Sequence, residues 1–250
     1  MRSLVPGLNL DEQKNAIRQR IWDLLERREA AHDTDVHGRI PNFVGREAAA
    51  DRLAELDAWM SSAVVKAVPD KAQLPVRVRA LRENKLVYMA VPRLAKQHPF
   101  YLLDPAALSV SAETAATGDG AAEAARNVGV DELRPIDLVV CGSVAVNRAG
   151  VRLGKGAGYA DIEVALLQEA GLIGPNTTIV TTVHQLQIVD DELPETEHDF
   201  SVDLIVTPEE VIACGPARRP AGLIWEQLTP EKIAAIPVLA AMSSARSSKQ

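Results

Sequence analysis

The sequence predicts an α/β protein in three layers, a mostly parallel sheet with helices on both faces, and three observations predict it. Apolar runs rich in β-branched residues alternate with amphipathic helical runs, the pattern of parallel strands buried on both sides. Hydrophobic residues make up 47% of the 250 and charged residues 24%, which supplies a core for a sheet between two helical layers. A Gly-rich stretch from Gly150 to Gly158 stands between a strand and a helix, where α/β sheets place their ligand loops.

Each element has its own warrant. Asp11 is placed to cap a first helix whose Ile17, Ile21, Leu24 and Leu25 fall at i, i+4, i+7 and i+8, with Lys14, Arg18 and Glu26 on other faces. His37 to Gly45 holds too many breakers for a regular element and reads as an ordered loop. Arg46 to Met60 is Ala-rich and helical, and Ala63 to Val68 has the bias of a short strand. Pro69-Asp70-Lys71 turns the chain into a helix from Leu74 to Glu83, and Lys85 to Val91 is a buried strand closed by Pro92. Ala106 to Val130, poor in large apolar residues, accommodates one amphipathic helix amid connections and suggests no chemistry.

The second half alternates more clearly. A strand spans Asp137 to Val146, a helix Asp161 to Ala170, and further strands Thr178 to Val183, Asp203 to Val206 and Glu210 to Cys214. Thr229-Pro230 is a cap and first position for a late helix. The expected organisation is one α/β domain over 1–240 and a polar, frayed tail over 241–250.

Charge and cysteine usage exclude several classes. Lys and Arg number 27 against 34 Asp and Glu, a net charge of −7, which argues against a general nucleic-acid or anionic-membrane binder. An anion must therefore be held by a local site. Cys141 and Cys214 lack the spacing of a zinc site or a disulfide framework. Residues 1–7 lack the apolar core of a signal peptide, and Gly142-Ser143 interrupts the longest apolar stretch, so a cytoplasmic protein is expected.

Within the Gly-rich stretch, Gly154, Gly156 and Gly158 let the main chain approach an anion, and Arg152 and Lys155 add charge. The spacing is not that of a dinucleotide fingerprint, and Lys155 is followed by Gly156 rather than the Ser or Thr of a P-loop. Glycine spacing alone leaves a surface turn and an anion site equally open. The cations and the Asp161 carboxylate tilt the balance to phosphate plus metal.

Arg152-Leu153-Gly154-Lys155-Gly156-Ala157-Gly158-Tyr159-Ala160-Asp161 resembles the ATP-binding signature of the 5-formyltetrahydrofolate cyclo-ligase (methenyltetrahydrofolate synthetase) family. Collinear with it are Lys14 and Arg18, the strand ending Pro92-Arg93, and Glu197 to Asp203, so that the similarity runs from about Lys14 to Ile212. Arg39-Ile40-Pro41-Asn42-Phe43 and Lys66 with Pro69-Asp70-Lys71 resemble its cyclo-ligase-like, synthetase-domain-containing branch. The resemblance implies a three-layer, Rossmann-like fold and an ATP- and Mg-dependent ligase that closes 5-formyltetrahydrofolate to 5,10-methenyltetrahydrofolate, releasing ADP and phosphate.

Carried over residue by residue, it puts ATP against Lys14, Arg18, Gly154, Lys155, Gly156, Ala157, Gly158, Tyr159 and Asp161. It gives Arg152, Lys155 and Tyr159 catalytic roles and Mg to Asp161 and Asp199. For the substrate, Phe43 and Trp59 are candidates for a stacking wall or for plain core packing. Arg39 and Arg93 are candidates for a bidentate carboxylate contact or for anchoring their loops. His184 reads as a hydrogen-bonded structural group.

Three departures stand out. Tyr159-Ala160-Asp161-Ile162 replaces a usual Tyr-Tyr-Asp-Arg, Asn147 stands at a frequent Asp, and the acid that meets the folate ring has only Asp70 near its place. They leave two other readings open: a diverged ATP-dependent ligase for a non-folate amide or carboxylate, as in thiamine-related metabolism, and a non-catalytic nucleotide or folate binder. The expected partner is a small molecule, a reduced folate, with no nucleic acid or membrane, and the protein a monomer or weak homo-oligomer.

Overall fold

The computed structural model describes residues 8–215 and 217–248. The leader reading concerns residues 1–7, which lie outside them, as do the last two residues of the tail. The chain opens with helix α1 (Leu10–Arg27), whose N-cap is Asn9 rather than Asp11. The Asn9 side chain accepts from the Glu12 amide at 3.0 Å, and Glu12 accepts in return from the Asn9 amide at 2.9 Å. This reciprocal box satisfies two otherwise orphaned donors and outcompetes a lone Asp two positions on.

Next come α2 (Arg46–Ala54), α3 (Asp57–Met60), β1 (Val64–Ala67), α4 (Leu74–Arg82), β2 (Leu86–Ala90) and β3 (Phe100–Leu103). The single helix expected over Arg46 to Met60 is broken at Leu56, whose extended backbone opens α3. Then follow α5 (Ala112–Ala115), α6 (Gly118–Ala124), β4 (Arg126–Val128), β5 (Leu138–Cys141), β6 (Ala145–Asn147) and β7 (Arg152–Leu153). The Ala-rich region thus carries two short helices and a strand. Its strand was illegible because Arg126-Asn127-Val128 offers a single apolar residue on which to read a period.

The remainder is α7 (Tyr159–Glu169), β8 (Thr178–Thr182), β9 (Ile188–Val189), β10 (Leu204–Val206), β11 (Val211–Ala213), α8 (Pro230–Ala235) and α9 (Pro237–Ser247). The C-terminal stretch expected to fray is helical up to Ser247. No helix among the described residues is long and apolar enough to cross a membrane.

Eight strands form one sheet in the order β11-β10-β8-β5-β1-β2-β3-β4. The central five, β10 to β2, are mutually parallel, while β11 and β3 pair antiparallel at the flanks. Strand parity sorts the core into two layers. Val65, Ala67, Val87, Met89, Leu138 and Val140 pack on the face of α1 to α6. Val64, Tyr88, Val139 and Cys141 pack on the face of α7 and the C-terminal helices.

The expected strand from Asp137 to Val146 is two strands in different sheets, since β6 leaves the main sheet to join β7 and β9. Gly142 sits at the break. A Cβ there would lie 2.8 Å from Ile40 Cγ2, so the close approach of the Ile40 loop requires glycine.

Chain order now fixes the ligand position. From β1 the chain steps to β2 on one side, then to β5, β8 and β10 on the other, which makes the gap between β1 and β5 a topological switch point. Crevices for ligands open there, beyond the carboxyl ends of the strands.

Candidate active site

A cavity of about 740 Å³ occupies that position. Its floor is the chain leaving β1 (Val68, Pro69, Asp70), β2 (Val91 to Leu94) and β5 (Gly142). The Gly-rich loop from Arg152 to Asp161 and the buried face of α1 close it. Arg93 and Leu94 on the cavity floor have φ of +60° and +52°, a left-handed backbone that non-glycine residues adopt at a cost.

The loop adopts its path through glycine conformation. Gly156 and Gly158 have φ of +99° and +71°, and a Cβ on Gly158 would meet nothing, so backbone freedom rather than space demands glycine there. Gly158 is also the N-cap of α7 and offers no side-chain acceptor. The first amides of an 11-residue helix are thereby left for a ligand, at the positive end of its dipole.

Cations converge on this helix end. Lys14 and Arg18 lie on the buried face of α1, 6% and 8% exposed, where an amphipathic helix would carry apolar residues. Lys14 Nζ donates to Asp199 Oδ2 at 2.5 Å, and Arg18 Nε to the Gly154 carbonyl at 2.7 Å. Burial lowers the Arg18 pKa, against the pull of Asp11, Asp199 and Asp161. Arg152 is stacked on Phe200 at 3.9 Å and reaches Asp161 Oδ1 at 3.2 Å, yet its buried Nε has no partner among the described residues. Lys155 Nζ is 3.4 Å from Asp70 Oδ1 and Arg93 lines the floor.

The two carboxylates differ. Burial pushes the Asp161 carboxyl up, Arg152 opposes and Asp199 reinforces the rise. Burial acts on Asp199 in the same sense, but hydrogen bonds from Lys14 and from the Thr196 amide and hydroxyl outweigh it and hold that carboxyl below the usual range. No cluster of three or more His, Cys, Asp or Glu suited to a metal occurs among the described residues. Two carboxylates on one cavity fit a cation that arrives with phosphates and keeps its water, as magnesium does, rather than a dedicated protein cage.

Of the residues singled out from sequence, Lys14, Arg18, Arg93, Arg152, Gly154 to Asp161 and Asp199 line this one cavity. Phe43 and Trp59 do not. Phe43 is fully buried, and Trp59 is 1% exposed with its indole N–H donating to Glu83 at 2.7 Å, so both rings are core. Arg39 points outward, 3.8 Å from Asp35, while its neighbours Gly38 and Ile40 line the cavity. His184 accepts from the Leu186 amide as a cap.

Glu163 was missed. It lines the cavity at 4% exposure and pairs with Lys66 of β1 at 2.8 Å. The signal was a lysine inside the apolar strand Val64-Val65-Lys66-Ala67, which demands a buried acid nearby.

Fold and cavity together define an α/β protein with a cation-rich cavity at the switch point of its sheet. The family model described as the 5-formyltetrahydrofolate cyclo-ligase family matches residues 10–208, and the chain belongs to that family. It is similar to the mouse methenyltetrahydrofolate synthase domain-containing protein, with 40% identity over 233 residues, covering 90% of this chain and 62% of that protein. The human protein of the same name is 39% identical over 232 residues, covering 90% and 60%. The chain thus spans about three-fifths of the length of these relatives. The NMR structure of Aquifex aeolicus 5,10-methenyltetrahydrofolate synthetase superposes with a TM-score of 0.52 at 21% identity, over 84% of this chain and 95% of that one, which shows the shared fold.

Proposed function

We propose that the chain cyclises 5-formyltetrahydrofolate to 5,10-methenyltetrahydrofolate at the expense of ATP, with magnesium. The observation that carries this reading is the uncapped N-terminus of α7, whose Gly-rich entry meets Lys14, Arg18, Arg152 and Lys155 in one cavity. Carboxylates balance three of these cations in the free protein, and a phosphate at the positive helix end can take their place. Family membership supplies the substrate class.

In this reading the triphosphate lies against the loop amides, and Arg152 and Lys155 neutralise charge as the γ-phosphoryl group moves. The formyl oxygen forms a bond to the γ-phosphorus and the bond to ADP breaks. N10 then attacks the activated formyl carbon and loses its proton, the carbon–oxygen bond breaks, and phosphate leaves. Such transfer requires positioning and charge neutralisation above all. Lys14 and Arg152 exchange their Asp199 and Asp161 partners for phosphate oxygens, which frees both carboxylates to hold magnesium. The metal would add charge neutralisation on the phosphates. Arg93, with no side-chain hydrogen bond to the described residues, is available to an acidic tail of the substrate.

The test follows the methenyl product optically with ATP and magnesium, in wild type and in Lys155→Met and Asp161→Asn. Product that depends on ATP and drops by about 10²-fold or more in the variants supports the reading. A folded protein that gives no product from fresh substrate refutes it. Ala160 favours a second reading: it lines the cavity where the family carries a ring, leaving room for a different amide or carboxylate acceptor. ADP release driven by a non-folate metabolite, with folate inert, would select it.

A further inference from the structure

We infer that the C-terminal segment is a working part of the nucleotide site, with Lys232 as a positioning residue that clasps the Gly-rich loop. The inference rests on the phosphate-site reading above and adds to it a residue outside the 10–208 region of the family match. Lys232 lies in the first turn of α8, three residues after the Thr229 cap. Its Nζ donates to the carbonyl of Ala157 at 2.9 Å and sits 4.0 Å from the centroid of the Tyr159 ring. Ala157 and Tyr159 flank Gly158, the residue whose left-handed backbone turns the loop into α7. One ammonium group therefore grips both sides of the hinge on which the exposed helix amides depend.

The grip is anchored at both ends. Ile236 and Leu239, fully buried, fix α8 and α9 against the core layer of α7. Arg246 of α9 lies over the Trp225 ring at 4.9 Å. Two residues from that ring, Gln227 accepts from His198 Nδ1 at 2.8 Å and donates to Glu197 at 3.2 Å. The segment thus ties the turn that carries Asp199 to the loop that carries Asp161. These two carboxylates come from separate parts of the chain, and a strap joined to both sets the distance between them.

Lys232 brings a fifth positive charge to a helix end already ringed by four. Packing alone does not call for an ammonium group there, since a methionine would cover Tyr159 as well. The charge is accounted for by the Ala157 carbonyl and the Tyr159 ring, the two groups the ammonium holds together.

The experiment compares wild type with Lys232→Met and Lys232→Arg in the full chain. Amide hydrogen exchange without nucleotide is read first. In K232M, amides from Ile162 to Ala165, the first hydrogen-bonded ones of α7, exchange about five- to tenfold faster, with α1 and the central strands unchanged, and K232R restores protection. Binding of magnesium ATP is read second by calorimetry: K232M weakens it by a similar factor and raises the nucleotide KM with kcat nearly constant, whereas the loss of a merely structural residue would lower Tm and speed exchange everywhere. Exchange at Ile162 to Ala165 in K232M equal to wild type overturns the clasp, as does a loss that K232R does not restore. Wild type that shows the exchange effect but no ATP binding leaves the clasp standing and sinks the phosphate-site reading instead.

Discussion

Replacing Lys66 by methionine separates the structural and ionic contributions of the cavity wall. Lys66 and Glu163 are 1% and 4% exposed, with 2.8 Å between Nζ and Oε1. Removing the ammonium leaves a carboxylate buried without its counter-ion, for which about 3–5 kcal/mol of stability is lost. The double variant K66M/E163L replaces the pair by apolar side chains and recovers most of that loss, because a well-packed hydrophobic pair is commonly as stable as a buried ion pair. The coupling in the cycle is therefore at least about 2–3 kcal/mol, and larger by whatever Glu163→Leu alone costs in leaving Lys66 unpaired.

A pH dependence accompanies the single variant. Burial already raises the Glu163 carboxyl, and Lys66 opposes that rise, so K66M raises it further. The folded protein then holds a proton that the unfolded chain releases near pH 4.3, and the stability of K66M falls as pH climbs from that value towards the raised folded pKa. Urea unfolding at constant m between pH 4 and pH 8 measures both effects. A K66M loss below about 1 kcal/mol at neutral pH, or a double variant as unstable as the sum of the singles, refutes the account.

Other perturbations have equally defined outcomes. Gly158→Ala meets no atom, so it costs about 1 kcal/mol through its left-handed backbone, read as a drop of a few degrees in Tm, and weakens nucleotide binding by shifting the first amides of α7. Asn9→Ala removes the α1 cap and costs about 1 kcal/mol of stability, read as a lower urea midpoint at constant m, with nucleotide affinity unchanged. Lys14→Met removes a hydrogen bond that holds the Asp199 carboxyl low. That carboxyl contributes stability present above its unfolded pKa and lost as pH falls through its lower folded value, so K14M flattens the acid limb of a stability profile.

The strands of the parallel sheet were legible because burial on both faces makes them continuous apolar runs, as in Val64 to Ala67 and Leu138 to Cys141. The flanking β3 and β4 escaped notice, since antiparallel edge pairing asks little of Arg126-Asn127-Val128. The Gly-rich loop with Arg152 and Lys155 stood out by residue type and order, whereas Lys14, Arg18 and Asp199 were reached only through the resemblance to the family. Phe43 and Trp59 were misplaced by a general argument, that scarce aromatics serve ligands. In this chain the rings fill the layer between α1 to α4 and the sheet, and composition carries no information on which side of a wall a ring stands.

The cavity wall carries opposite charges that neutralise one another, Lys14 with Asp199, Arg152 with Asp161 and Lys155 with Asp70, and a fourth pair joins its Glu163 to Lys66 behind the wall. Three of these pairs involve a side chain of the Gly-rich loop or α1, and in the proposed reading each holds a cation for phosphate, with Asp199 and Asp161 held for the metal, in a form the empty protein can tolerate. The fourth is buried too deeply for that exchange. A ligand that enters with both phosphate and magnesium replaces paired charges by paired charges, so the net charge of the wall need not change as the site fills, and binding avoids the desolvation cost of creating a naked ion in the cavity. An anion without a metal would break the pairs on one side only. Inorganic triphosphate should therefore bind more weakly without magnesium than with it, by about tenfold or more in calorimetry, and equal affinities would show that the carboxylates remain with their cations throughout.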